Sequence, residues 1–203
     1  MTRLDTAFLW TFVGFCLGAI PFSVWLGRLV LRRDIRQYGD HNPGGTNVIR
    51  AGSRGLGALA IFLDMLKGAV PVALAHYVYR VNEWPLIPVI LAPILGHAFT
   101  PFLRFHGGKA VAVTFGAWSA LTVPFGPFVM SLSLLAFIKL QANSGWSVMA
   151  AWLVTLAFLL AVSANWPLLT AWAATAAVLA WTHRADLRHP PRLRLATTRR
   201  GSP

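Results

Sequence analysis

Acidic residues, cysteine and charge of either sign are all in short supply in this chain. Of its 203 residues only six are Asp or Glu, against eighteen Lys or Arg, and charged residues make up 12% of the total. Soluble domains carry roughly 25%, so the chain has too little polar surface to fold as one. The single cysteine, Cys16, excludes an intrachain disulfide and lies within an apolar run, where a nucleophilic role is not expected. No set of His, Cys and carboxylate residues stands at metal-ligand spacing, and no Gly-x-Ser-x-Gly elbow occurs. Neither a metal nor another cofactor is expected.

What the chain has instead is apolar length. Hydrophobic residues make up 56%, nine are tryptophan, and the mean hydropathy is +0.59. A bilayer core of about 30 Å takes roughly 20 apolar residues in a helix, so nearly the whole chain is needed for spans and short connections. The expected class is an all-α integral membrane protein, with one transmembrane domain over residues 1–186 and a basic tail over 187–203. The net charge of +12 does not point to nucleic acid. Basic residues gather at the ends of hydrophobic stretches, which is the pattern of membrane topology.

Residues 7–27 carry no charge and form the first expected span, retained rather than cleaved as a signal peptide. Arg28, Arg32 and Arg33 then place the loop up to Arg54 in the cytoplasm. Residues 55–79 and 85–103 make the second and third spans. The uncharged run 110–138 is read as two short spans broken near Pro124, Gly126 and Pro127, and 145–182 as two more that turn at Asn165 to Pro167. Parity requires the first of these breaks, since the arginines after Thr182 belong inside. The result is about seven transmembrane helices, amino terminus outside and carboxyl terminus cytoplasmic, with every polar loop of interest on one face. The arginine-rich, acid-free tail suits contact with anionic membrane lipid.

Three clusters on that face can carry chemistry. In the stretch from Asp34 to Arg50, Gly44 and Gly45 permit close approach by a ligand, Asn42, Thr46 and Asn47 offer uncharged hydrogen-bond donors, and Arg36 and Arg50 bring fixed positive charge suited to phosphate. From Gly96 to Lys109, Gly107 and Gly108 would expose backbone amides before a helix, and Lys109 would add a point charge. The glycine spacing is not that of a nucleotide-binding P-loop. His183, Arg184 and Asp186 close the last span, where a histidine can be a general base, an orienting partner or an interfacial residue. Within the second span, Asp64 and Lys67 share a helix face; charges at such depth are functional by default, or form an ion pair that locks the helix to its neighbours.

In order and spacing, Gly39 to Arg50, Asp64-Met-Leu-Lys-Gly68, Gly96-His-Ala-Phe99 and Phe105-His-Gly-Gly-Lys109 resemble the successive motifs of the bacterial acyl-phosphate:glycerol-3-phosphate acyltransferases. Gly18-Ala-Ile-Pro-Phe22 and His183-Arg184 stand in the matching places, so the resemblance runs from about residue 12 to 188. It implies a seven-span enzyme of the bacterial inner membrane, with its active site facing the cytoplasm, that serves phospholipid biosynthesis. Such an enzyme moves an acyl group from acyl phosphate to the 1-hydroxyl of glycerol 3-phosphate, giving lysophosphatidic acid and phosphate. No histidine is followed five positions later by aspartate, which removes the signature of the other large class of glycerolipid acyltransferases.

Asp40, Arg50, Lys109 and His183 are the expected catalytic residues. Asn42, Gly44, Thr46, Asn47, Lys67, His97, Gly107, Gly108 and Asp186 are the expected substrate contacts. The chain departs from the family where serine is usual at Asp40, alanine at Gly45 and asparagine at Asp186, and it lacks a glycine-glutamate pair after the last motif. Asp40 would repel a phosphate unless Arg36, Arg50 or Lys109 neutralised it. Two other classes compete. An organic-phosphate transporter would need a midplane site, with Asp64 and Lys67 its charged candidates; an inactive relative is suggested by Asp40 and Asp186. The hydroxyl proton could pass to His183, Asp40 or a substrate phosphate.

Overall fold

In the computed structural model of the chain, residues 2–194 are described, and every regular element among them is helical. The chain divides into two units, Met1–Leu121 and the residues from Thr122 onward.

The first unit opens with α1 (Arg3–Ala19), capped by reciprocal hydrogen bonds between Thr2 and Asp5. Pro21 ends it, because proline has no N–H to donate and its ring clashes with the preceding turn. The chain restarts as α2 (Phe22–Leu29), so the expected first span is two helices rather than one. The break leaves carbonyls without helical partners, and side chains from elsewhere supply them: Lys67 Nζ donates to Ile20 O at 2.8 Å, and Thr100 Oγ1 to Ala19 O at 2.5 Å.

After a polar loop come α3 (Gly45–Arg50), α4 (Arg54–Ala73), α5 (Leu86–Ala98) and α6 (Val111–Leu121). Small residues bring these helices together. A methyl group at Gly18 would strike the backbone of Pro93 in α5, and one at Gly68 would strike the Val113 carbonyl in α6. Close backbone approach of this kind holds helices together where lipid removes the hydrophobic drive between them.

The second unit contains α7 (Phe125–Leu140), α8 (Ser144–Ala161), α9 (Trp166–Thr182) and the single turn α10 (Arg184–Leu187). The Trp152 and Trp172 rings stack at 6.1 Å, and each indole N–H donates to the other residue's carbonyl. Beyond α10 the chain folds over the α7–α8 turn: Trp146 Nε1 donates to His189 O at 2.8 Å, and Arg192 N to Gln141 Oε1 at 2.7 Å. The basic tail expected over 187–203 is therefore described only to Arg194.

Among the described residues, four helical stretches are long and apolar enough to cross a membrane: Arg3–Leu29, Arg54–Val78, Leu86–Leu103 and Ser144–Ala161. Val111–Leu121 and Phe125–Leu140 are apolar but shorter. The helices break before Phe125, close to the expected Pro124, and Asn165 caps α9 by accepting from Leu168 N at 3.1 Å. Large apolar side chains such as Phe8, Phe62, Phe128, Leu132 and Leu153 point outward, and only a bilayer suits so continuous an apolar exterior. The molecule is a multi-pass membrane protein.

Candidate active site

The loop between α2 and α4 and the loop between α5 and α6 meet at one carboxylate. Asp40 Oδ2 lies 2.9 Å from Lys109 Nζ, and its Oδ1 lies 3.6 Å from Arg50 Nη1. Asn47 Nδ2 also donates to Oδ1 at 2.9 Å, and the Asn42 N–H points at the same atom. Asn47 is buried and fully engaged. It donates a second time to the Asn42 carbonyl at 2.8 Å and accepts from Arg50 Nη1 at 2.9 Å, so it fixes the guanidinium beside the carboxylate.

The local sequence explains this convergence. Gly39 adopts a left-handed conformation at φ +59°, and a side chain on it would collide with Arg50 and Asn47. The turn through Asn42, Pro43 and Gly44 delivers α3, whose one and a half turns carry Asn47 and Arg50 at the helical spacing of three. Thr46 is on the exposed side of that turn and Gly44 precedes it. Burial pushes the Asp40 carboxyl up, but the Lys109 hydrogen bond and charge, with Asn47 and Asn42, outweigh it and hold the group below its usual value. Arg36 turns elsewhere: its Nε and Nη2 grip Asp34 at 2.9 and 2.6 Å.

Lys109 is held in place by what lies beneath it. The Gly107 N–H donates to Ala98 O at 3.0 Å and the Gly108 N–H to His97 O at 3.1 Å, so the loop folds back onto the end of α5. Glycine is needed at both positions because a methyl group would meet the His97 and Ala98 carbonyls or the His97 ring. Those two amides serve the loop, and the cation that faces Asp40 is the Lys109 side chain.

His97 belongs to a second, buried cluster. Asp64 Oδ1 lies 2.8 Å from Lys67 Nζ and 3.8 Å from His97 Nδ1, and Ser23 Oγ is 3.4 Å from Asp64 Oδ2. Lys67 also reaches the Ile20 carbonyl at the Pro21 break. The pair thus ties α4 to the α1–α2 junction, with His97 and the glycine pair stacked beside it.

In the second unit His183 is buried at the end of α9. Its Nδ1 lies 2.9 Å from the Leu179 carbonyl and 3.2 Å from Thr182 Oγ1. Gly145 leaves room for His183 and Asp186 against the start of α8, where Ser144 Oγ donates to Asp186 Oδ2 at 3.0 Å and Asn143 Nδ2 to the Asp186 carbonyl at 2.6 Å.

A family model described as glycerol-3-phosphate acyltransferase matches residues 8–190. This chain is a member of that family. A relative in Deinococcus radiodurans, glycerol-3-phosphate acyltransferase 1, is 35% identical over 96% of both chains. Another in Maridesulfovibrio salexigens, glycerol-3-phosphate acyltransferase, is 36% identical over 88% of this chain and 90% of its own. Among solved structures, PlsY, an integral membrane glycerol 3-phosphate acyltransferase, in its glycerol 3-phosphate form matches with a TM-score of 0.83 at 29% identity, covering 95% of this chain and 93% of that one. Its lysophosphatidic acid form matches with a TM-score of 0.79.

Within this family member, the sequence singled out Asp40, Asn42, Asn47, Arg50 and Lys109, and the structure brings these five together. It places Lys67 and His97 in the buried cluster instead. Ser23 and Thr100 were not singled out. Both stand within two residues of a quoted motif position, Ser23 after Phe22 and Thr100 after Phe99, but their partners lie on other helices.

Proposed function

We propose that the chain transfers an acyl group from acyl phosphate to the 1-hydroxyl of glycerol 3-phosphate, releasing lysophosphatidic acid and phosphate. The observation that carries this reading is the convergence of Lys109, Arg50 and Asn47 on one anion-sized point, now marked by the Asp40 carboxylate. The family's names and the two ligand forms of PlsY support the same substrate and product.

Acyl phosphate is already activated, so no acyl-enzyme intermediate is required. The glycerol hydroxyl oxygen attacks the acyl carbon, the bond from that carbon to the phosphate oxygen breaks, and phosphate leaves with the electron pair. Lys109 and Arg50 neutralise phosphate charge, while Asn47, Asn42, Thr46 and Gly44 line the approach. Gly107, Gly108 and His97 hold the Lys109 loop, and Lys67 ties α4 to the α1–α2 junction. His183 and Asp186, on the second unit, are the further residues that the family resemblance implies. The hydroxyl proton goes to His183, Asp40 or a phosphate oxygen, and positioning with charge stabilisation supplies most of the acceleration.

In this reading residues 1–186 form one acyltransferase domain of seven spans, amino terminus outside, followed by a basic cytoplasmic tail. The enzyme lies in the bacterial inner membrane, and the loops around Asp40 and Lys109 face the cytoplasm, as Arg28, Arg32 and Arg33 favour. The test is phosphate release by purified protein in lipid, given palmitoyl phosphate with and without glycerol 3-phosphate. Release that depends on the acceptor and equals the lysophosphatidic acid formed is the expected result. Release without acceptor, or none across several chain lengths, would reject it.

A further inference from the structure

We propose that Asp40 is an internal anion that occupies the phosphate site of the resting protein and must be displaced before a substrate phosphate can bind. The inference rests on the reading of the Lys109 and Arg50 site as a phosphate site. Each oxygen of the Asp40 carboxylate meets a separate cation, Oδ2 with Lys109 at 2.9 Å and Oδ1 with Arg50 at 3.6 Å. The remaining donors, Asn47 Nδ2 and the Asn42 N–H, also point at Oδ1. This is the donor set a phosphate oxygen pair would take, and a carboxylate on a short side chain already satisfies it.

Displacement is sterically open. The Asp40 side chain keeps 43% of its surface exposed and Arg50 keeps 49%, so the carboxylate can swing into water while Asn47, which is buried, holds the guanidinium in place. A phosphomonoester dianion brings about twice the charge of the carboxylate and so competes for the same two cations. Protons cannot open the site, since the neighbours keep Asp40 ionised at any pH in the cytoplasmic range. The competition is therefore permanent, and apparent affinity is reduced by the fraction of molecules in which Asp40 has left.

The experiment is calorimetric titration of the full-length protein in lipid nanodiscs with inorganic phosphate and with glycerol 3-phosphate, in the absence of acyl donor. Asp40→Ser and the near-isosteric Asp40→Asn are expected to bind both ligands at least tenfold more tightly than wild type, by the same factor, because the opening step is common to both. Asp40→Glu, which keeps the charge, should stay weak. If neither neutral variant binds more tightly, or the factors for the two ligands differ widely, while Lys109→Ala still weakens binding, the inference is overturned and the phosphate site stands. If no variant binds either anion, the phosphate site itself is wrong and the inference falls with it.

Discussion

Lys109 Nζ and Asp40 Oδ2, 2.9 Å apart, join the two glycine-rich loops of the first unit into one surface. The pair is part-exposed, and such ion pairs contribute about 0–1 kcal/mol to stability. Lys109→Ala should therefore melt within a few degrees of wild type. Its turnover should fall about 10²–10³-fold, the usual cost of deleting one charge-stabilising group. Lysophosphatidic acid formation alongside a thermal melt checks both; near-normal turnover would take Lys109 out of the mechanism.

The buried pair Asp64–Lys67 predicts the opposite pattern. Neither group reaches water, so Lys67→Met strands the Asp64 carboxylate and leaves the Ile20 carbonyl only the Phe22 N–H as donor. Removing one partner of a buried pair costs about 3–5 kcal/mol. The double variant Asp64→Asn, Lys67→Met should recover part of that loss, since no unpaired charge remains. Unfolding midpoints in detergent measure it, and a double variant as unstable as the single would rule out the ion-pair account.

Much of this architecture was legible in the sequence. The apolar length gave the helical membrane class, and Pro124 and Asn165 marked real helix boundaries because proline and a capping side chain act locally. Arg50, Asn47 and Lys109 stood out by residue type and spacing. Partner choice was less accessible. Arg36 and Arg50 look alike in sequence, yet Asp34 two residues away captures the first and leaves the second to Asp40. The glycines of the Lys109 loop suggested exposed amides, whereas those amides close onto α5, a choice fixed by where α5 ends. The split of the first span is a case where the signal, Pro21, was present and the absence of charge obscured it.

Gly107 and Gly108 should differ when each is changed to alanine. At Gly107 the new methyl would meet the His97 and Ala98 carbonyls, which are backbone and cannot turn aside; at Gly108 it would meet the buried His97 ring, a side chain that would have to shift beside Asp64. Overpacking costs about 1–3 kcal/mol, and the upper end belongs to Gly107→Ala. Because Lys109 is next in the chain, Gly107→Ala should also lose more than tenfold in turnover. Equal effects of the two substitutions would argue against loop closure on His97.

The pH dependence of stability follows from the two acids of the first polar loop. The Arg36 hydrogen bond, outweighing burial, depresses Asp34 strongly, and Lys109 with the two asparagines keeps Asp40 low against its burial. A carboxyl depressed in the folded state stabilises above its unfolded value, about 3.9, and that contribution disappears as pH falls through the folded value. Melting temperature in detergent should stay level from pH 8 to about 5 and decline below about 4. Both acids are part-exposed, so solvent screening limits the decline to a few degrees. Asp34→Asn should lower the plateau slightly and flatten the acid limb. A decline that began between pH 7 and pH 5 would place the titrating group among the histidines and not in this loop.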